Sequence, residues 1–213
     1  MILDAAGFDR AVDHLAEHDP DLRRTIDSHG HPPFWVRPPG FATLVLLVLE
    51  QQVSLASARA TYDRLALAVG AVDPRHVLAT PDGVLRRAGL SRQKERYVRE
   101  LAAAVAGGGL DLDAVARLSD DESRAALVAQ IGIGPWTADA YLLAALRRPD
   151  IWPVGDRALQ VAAAAVKGLA EVPGPDALTT LAEPWRPWRS VAARMLWHDY
   201  LSRRGRIELD PPI

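Results

Sequence analysis

The stretch Gln-Ile-Gly-Ile-Gly-Pro at residues 130–135 joins two segments that have the composition of helices. It leaves almost no room for a loop, so it predicts a tight helical hairpin. Gly132 and Gly134 permit positive φ and the close approach of another backbone. Pro135 suits the first position of the second helix, where its missing N–H is not needed.

A hairpin of this kind presents backbone N–H groups beside a helix N-terminus, an arrangement that binds anions such as DNA phosphates. Because it needs no basic side chain, it can serve a chain whose formal net charge is -2. We expect Ile131 and Ile133 to anchor the turn from below. The same residues also fit an ordinary turn between helices, so from this stretch alone both interpretations stay open.

Outward from the hairpin, almost the whole chain is predicted to be helical. Alanine, leucine and arginine, which favour helices, are abundant. No segment alternates polar and apolar residues with the period of two that is typical of strands. The predicted helices span 8–27 (interrupted near Pro20), 41–50, 54–69, 91–106, 119–130, 135–146, the stretch after Asp156, and 188–202. The predicted fold class is therefore all-α.

Composition excludes several classes of protein. The 213 residues contain no cysteine, so disulfides, thiolate-bound metals and iron–sulfur clusters are ruled out. The apolar run Ala42–Leu49 is far shorter than the ~20 residues of a membrane helix. The N-terminal residues are acidic and do not have the pattern of a secretory leader. We therefore expect a soluble cytoplasmic protein.

Charge is distributed unevenly along the chain. The first fifty residues are mainly acidic, whereas two later stretches are basic. The first comprises Arg86, Arg87, Arg92, Lys94, Arg96 and Arg99; the second comprises Arg186, Arg189, Arg194, Arg203, Arg204 and Arg206. Either stretch could form a local DNA footprint, but solvated helix faces explain such charges at least as well.

Asp156 lies in the sequence Trp-Pro-Val-Gly-Asp-Arg-Ala-Leu-Gln, residues 152–160. Pro153 and Gly155 predict an irregular turn, after which Asp156 caps a helix. The same position suits a catalytic carboxylate, because a helix N-terminus favours its ionised form. A fixed anion there can stabilise the oxocarbenium-like charge that develops as an N-glycosidic bond breaks, or activate water. The two roles are compatible.

Together these segments resemble the helix-hairpin-helix DNA glycosylase superfamily, and within it the AlkA-type 3-methyladenine DNA glycosylases II. The residues that match lie in five blocks in the expected order. They are 49–54, Leu-Glu-Gln-Gln-Val-Ser; 89–91 with Lys94 and Tyr97; 131–138 around the hairpin; 152–159 around Asp156; and 185–190 with 196–197 near the C-terminus.

The resemblance implies two helical lobes with a cleft between them beside Asp156, which receives a base extruded from DNA. One lobe is expected at about 38–135, the other at 1–37 plus 136–213. It also implies that position 136 selects the chemistry, because bifunctional relatives carry a lysine there that forms a Schiff base. With Trp136 in its place, the expected enzyme is monofunctional and leaves an abasic site without cutting the strand.

Further site residues follow from the same resemblance. Trp136, Trp197 and Tyr141 are expected to bind the substrate base, because a tryptophan face attracts a cationic alkylated purine. Contacts with DNA are expected from Gln51, Gln52, Gly132, Gly134 and Thr137, with Gln52 filling the gap left by the base. No cofactor is required, but Na⁺ or K⁺ is expected on the backbone carbonyls of Val128, Gln130 and Ile133. Ala140, at a position where relatives carry an aromatic residue, puts the substrate preference in question.

The resulting hypothesis is a monomeric base excision repair enzyme that hydrolyses the N-glycosidic bond of alkylated or deaminated purines in double-stranded DNA. It would reside in the cytoplasm, on the nucleoid when bound to DNA. Two alternatives stay open: a glycosylase for an oxidised or mismatched base, and a non-catalytic helix-hairpin-helix module that only binds DNA.

Overall fold

The computed structural model describes residues 2–205. Within that range it contains thirteen α-helices and one short 3₁₀ helix, and no strand, which confirms the predicted all-α class. The described residues form two compact units. One comprises Arg37–Ala145, and the other combines the residues up to Val36 with those from Leu146 onward.

The unit Arg37–Ala145 contains eight helices. They are α3 (Phe41–Glu50), α4 (Leu55–Val69), α5 (Pro74–Ala79), α6 (Val84–Arg87), α7 (Arg92–Ala106), α8 (Leu112–Arg117), α9 (Asp120–Val128) and α10 (Pro135–Ala144). Helix α3 is at the centre and packs against α4, α7 and α10. It is buried along most of its length because its sequence is almost entirely apolar.

Several helices of this unit begin at residues whose side chains cap them. Ser54 accepts a hydrogen bond from the backbone N–H of Ser57, and Ser91 accepts one from that of Lys94. At α9, Ser119 and Glu122 form a reciprocal capping box. The predicted starts at Ser54 and Ser119 are thereby confirmed.

The other unit contains α1 (Ala5–His18), α2 (Pro20–His29), α11 (Arg157–Lys167), α12 (Pro175–Ala182), the 3₁₀ helix Glu183–Trp185 and α13 (Arg189–Ser202). Helix α13 is its core, buried from Ser190 to Asp199 and packed against α1, α2 and α11. The predicted interruption near Pro20 divides the first predicted helix into α1 and α2.

Asp19, between α1 and α2, connects several elements of this unit. Its carboxylate accepts hydrogen bonds from the backbone of Leu22, from Lys167 Nζ at 2.6 and 2.8 Å, and from Trp185 Nε1 at 2.7 Å. Burial, the largest influence, raises the pKa of Asp19, but the hydrogen bonds from Lys167 and Trp185 outweigh it and the net pKa is lowered. This carboxylate therefore holds α2 against α11 and the 3₁₀ helix.

Candidate functional site

The predicted hairpin is present between α9 and α10. Gly132 has φ +87°, and a Cβ built on it would lie 2.2 Å from Cγ of Tyr97. Both the backbone conformation and the Tyr97 ring therefore require glycine at this position. The close neighbour is a side chain of α7, not the backbone that the sequence had led us to expect.

Gly134 differs from that expectation. Its φ is −88°, which any residue can adopt, and a Cβ there would meet no atom within 4 Å. The expectation that Gly134 uses the positive φ and the close approach that glycine permits is therefore wrong. Its position at the N-cap of α10 instead leaves open space around the backbone.

Two isoleucines flank this turn unequally. Ile133 is buried, as predicted, but Ile131 is 48% exposed and does not anchor the turn from below. In the described part of the chain, the backbone N–H groups of Gly132, Gly134 and Thr137 donate no hydrogen bond to a backbone carbonyl. The N–H groups of Gly134 and Thr137 lie at the N-terminus of α10, and that of Gly132 lies in the turn that precedes it, an arrangement that binds anions.

The hairpin carbonyls were predicted to hold a monovalent cation. Gln130 O accepts the N–H of Ile133 at 3.1 Å, while no described residue donates to the carbonyl of Val128 or Ile133. Gly132 O accepts from the side chain of Gln51. Neutral carbonyl oxygens that accept no hydrogen bond suit a hard cation. The carbonyls of Val128 and Ile133 therefore fit the predicted Na⁺ or K⁺.

Gln51 joins the end of α3 to the hairpin, and Lys94 joins the end of α3 to α7. Gln51 Nε2 donates to Gly132 O and to Thr137 Oγ1, each at 2.9 Å. Lys94 Nζ donates to the carbonyls of Leu49 and Gln51 at 2.7 and 2.8 Å, and burial lowers the pKa of Lys94. The side-chain amide of Gln51 is thus engaged within the protein, and its predicted contact with DNA stays a prediction.

Gln52 follows directly and is exposed. Its φ is +60°, a left-handed conformation that costs a side-chain-bearing residue about 1–2 kcal/mol. The adjacent Val53 is 46% exposed, so the turn between α3 and α4 presents one polar and one apolar side chain to solvent. Strain of this kind is concentrated at functional positions.

Asp156 lies at the start of α11, as predicted, and is only 8% exposed. Its Oδ1 accepts the backbone N–H of Leu159 at 2.8 Å and the indole Nε1–H of Trp197 at 3.3 Å. Gly155, with φ +85°, and Val154 form an exposed turn immediately before it. A partly desolvated carboxylate with two fixed donors, next to an open turn, has the features of a catalytic group.

The three aromatic residues predicted to bind the base differ in their surroundings. Trp136 is half-buried in the first turn of α10. Trp197 is 1% exposed, with its indole N–H directed at Asp156. Tyr141 is fully buried, and its hydroxyl accepts the backbone N–H of Gly40 at 2.8 Å. Tyr141 is thus a core residue, and the site proposed below does not include it.

Internal partners engage most of the arginines in the second basic stretch. Arg186 and Arg189 pair with Asp150 and Glu183. The others also have partners: Arg194 is buried against the carbonyl of Trp35, Arg203 pairs with Asp199, and Arg204 stacks on Tyr200. Arg206 lies outside the described residues. In the first stretch Arg99 caps α5, so a DNA footprint there would rest on exposed residues such as Arg92 and Arg96.

The contacts of Lys94 with Leu49 and Gln51 are not predictable from the sequence, although Lys94 belongs to a block that carries the resemblance. A lone lysine in an amphipathic helix is typical of a solvated face, and no local pattern shows which carbonyls it reaches.

None of the helices in residues 2–205 is both long enough and apolar enough to cross a membrane.

Comparisons with known proteins agree with this architecture. Residues 45–187 match the family model of the HhH-GPD superfamily base excision DNA repair proteins. The probable bifunctional transcriptional activator/DNA repair enzyme AlkA of Mycobacterium tuberculosis is 33% identical over 92% of this chain. That protein is much longer, and the chain spans only 40% of its length.

Two solved structures are similar over most of both chains. The DNA-3-methyladenine glycosidase of Bacillus halodurans is 30% identical with a TM-score of 0.79, covering 92% of this chain and 91% of that one. A Schizosaccharomyces pombe 3-methyladenine DNA glycosylase in complex with abasic DNA has a TM-score of 0.81 at 24% identity, covering 88% and 95%; it shows a shared fold. The chain therefore belongs to the HhH-GPD superfamily of base excision DNA repair proteins.

Proposed function

We propose that this protein is a monofunctional DNA glycosylase that hydrolyses the N-glycosidic bond of alkylated purines, with Asp156 as its catalytic carboxylate. The observation that carries the proposal is the geometry of Asp156, a nearly buried carboxylate at a helix N-terminus that accepts hydrogen bonds from Leu159 and Trp197. Membership of a base excision repair family and similarity to 3-methyladenine glycosylases support the same activity.

Binding to double-stranded DNA would begin at the hairpin. The backbone N–H groups of Gly132, Gly134 and Thr137 would donate to phosphate oxygens at the positive end of α10. The carbonyls of Val128, Gln130 and Ile133 would hold Na⁺ or K⁺, which when bound adds positive charge near a phosphate. Gln52 would occupy the gap in the base stack and hydrogen-bond the unpaired base, while the damaged nucleotide is extruded.

In the chemical step the bond between C1′ of the deoxyribose and the purine nitrogen breaks, and its electron pair leaves with the base. An alkylated purine is cationic, so it departs as a neutral base without needing a proton. Asp156 stabilises the positive charge that develops on the sugar ring and orients the water whose oxygen bonds to C1′. The proton of that water passes to Asp156 or to solvent, and the product is an abasic site.

Trp136 supports both the substrate class and the absence of strand cleavage. Its indole cannot form the Schiff base that a lysine would form, so no covalent step is available at this position. A half-buried indole also attracts a cationic purine by ~1–2 kcal/mol when water is excluded. In this proposal the enzyme is a monomer that acts in the cytoplasm, and it lies on the nucleoid when it is bound to DNA.

The test combines a panel of lesions with one variant. Duplexes that each carry one methylated, deaminated, oxidised or mismatched base are incubated with the wild-type protein, and base release and strand cleavage are measured separately. Base release from methylated purines without strand cleavage is expected. Asp156→Asn, which can still cap α11, is expected to lower the rate by about 10²–10³-fold while leaving DNA binding intact.

Other outcomes of the panel identify the alternatives. Release of only an oxidised or mismatched base would assign the protein to a different lesion. Binding without release of any base would indicate a non-catalytic module. Wild-type activity in Asp156→Asn would remove Asp156 from the mechanism, and strand cleavage by the wild type would overturn the monofunctional assignment.

A further inference from the structure

The proposed function requires two parts of the unit Arg37–Ala145 to act on DNA together, since the hairpin holds a phosphate while Gln52 enters the base stack. These parts lie about eighty residues apart in the chain. A fixed distance between them would let phosphate binding and base extrusion occur in one arrangement. The structure contains a polar connection between them, made by Gln51 and Lys94, and neither side chain has a role in the mechanism above.

The connection has two halves. At the hairpin, Gln51 Nε2 donates to Gly132 O and to Thr137 Oγ1, so one amide bridges the turn and the first turn of α10. At the C-terminus of α3, Lys94 Nζ donates to the carbonyls of Leu49 and Gln51, which are among the last carbonyls of that helix. Gln51 is therefore fixed through both its backbone and its side chain.

Gln52 is the next residue, and its backbone is left-handed, with φ +60°. The carbonyl of Gln51 is held by Lys94, so the peptide that leads into Gln52 has a fixed orientation. The exposed side chain of Gln52 consequently projects from a constrained backbone instead of a loose loop. Strained conformations persist only where the surrounding contacts over-determine them.

We propose that Gln51 and Lys94 are positioning residues, which hold Gln52 at a fixed distance from the phosphate-binding hairpin and thereby promote base extrusion. Neither side chain needs to contact DNA. The hairpin is also held by its own helices and by the close packing of Gly132 on Tyr97. Loss of the connection should therefore impair extrusion more than it impairs binding. This inference rests on the proposed function, and its test is designed to separate the two.

The first variant is Gln51→Glu, which keeps the size of the side chain but replaces its N–H donors by a carboxylate facing Gly132 O. Ala68→Glu is the control, because it places a new carboxylate at an exposed position of α4 in the same unit. Lys94→Met is compared with Arg75→Met, an exposed cation on α5. Circular dichroism and thermal unfolding establish that each variant is folded at the assay temperature.

Extrusion is followed with a duplex in which 2-aminopurine flanks a tetrahydrofuran abasic site, since its fluorescence rises when it is unstacked. Base release is followed under single-turnover conditions on DNA methylated with dimethyl sulfate. We expect Gln51→Glu and Lys94→Met to lower the rate of base release about 10- to 100-fold. The same variants should reduce the rise in 2-aminopurine fluorescence on DNA binding. The Kd for DNA should stay within about threefold of wild type, and both controls should behave as wild type.

A double-mutant cycle shows whether the connection acts through Gln52. In a Gln52→Ala background, Gln51→Glu should change the residual release rate by less than about twofold, because the residue it positions is gone. If Gln51→Glu lowers the rate of base release by the same factor in the Gln52→Ala background as in the wild type, the proposal is overturned. An equal fall in affinity and rate would also overturn it, since this would mean that the connection only maintains the hairpin.

Failure of the proposed function gives a different pattern. If the wild type releases no base but its fluorescence signal depends on Gln51 and Lys94, hydrolysis is excluded and the positioning role stands. If the wild type releases base and the cycle shows independent losses, the function stands and the positioning role is excluded.

Discussion

Trp197 donates its indole N–H to Oδ1 of Asp156 over 3.3 Å, the same oxygen that caps α11. The tryptophan is fully buried, so it supports the carboxylate from within the core of its unit. Trp197→Phe removes this donor, and because a hydrogen bond to a charged group contributes about 1.5–3 kcal/mol, we expect the rate of base release to fall at least about tenfold.

Trp152→Phe is the matched control for Trp197→Phe. Trp152 is buried in the same unit, and its indole nitrogen has no hydrogen-bond partner among the described residues. The substitution removes the same volume but no contact with Asp156. Equal losses of activity in the two variants, measured in single turnovers below their unfolding temperatures, would show that only packing matters.

Gly132 and Gly134 should respond very differently to substitution by alanine. In Gly132→Ala the new Cβ would lie 2.2 Å from Tyr97 and the residue would have φ +87°. We expect a loss of about 3 kcal/mol or more in the free energy of unfolding.

Gly134→Ala meets no atom and keeps an ordinary φ, so it should lose no more than about 1 kcal/mol, the ordinary cost of alanine at an N-cap. Urea denaturation of both variants measures the difference. Similar stabilities would contradict the described packing of the hairpin on α7.

Asp19→Asn should destabilise the protein in a pH-dependent manner. The network lowers the pKa of Asp19 below its ordinary value of 3.8. The carboxylate therefore contributes stability above about pH 4, and this contribution disappears as the pH falls through the lowered pKa.

At neutral pH we expect Asp19→Asn to lose roughly 2–3 kcal/mol, because Lys167 and Trp185 lose a charged acceptor. The difference in the free energy of unfolding between Asp19→Asn and the wild type should become smaller below pH 4. Asp9→Asn, on an exposed position of α1, should change little at any pH. A difference that persists in acid would mean that the loss does not arise from the charge of Asp19.

Salt dependence of DNA binding should distinguish a free arginine from a paired one. Arg96 is exposed on α7, and no acidic partner lies within ion-pair distance of it in the described part of the chain. The logarithm of the DNA association constant falls linearly with the logarithm of the salt concentration. If Arg96 contacts a phosphate, Arg96→Gln should make this slope less steep by about 0.9. Arg186 pairs with Glu183 and Asp150, so Arg186→Gln should leave the slope unchanged. Unchanged slopes in both would make the first basic stretch a solvated face.

The local features of the fold were predictable from the sequence. The apolar composition of α3 predicted its bounds, and the predicted helices 54–69 and 119–130 begin at the serines that cap α4 and α9. The hairpin was predicted from its glycines and Pro135, and Asp156 from its turn. These features depend on residues within a few positions of one another, which is why one-dimensional patterns record them.

What the sequence determined by itself was therefore the all-α class, the hairpin, the family and the position of Asp156 at a helix start. Only the tertiary structure decided how side chains pair over long separations. It buried Tyr141 with its hydroxyl on Gly40, left Ile131 exposed and directed Trp197 at Asp156. It also connected Gln51 to the hairpin and Lys94 to the end of α3. The physical reason is that a polar group's partner depends on which atoms packing brings within about 3 Å, and local sequence does not encode that distance.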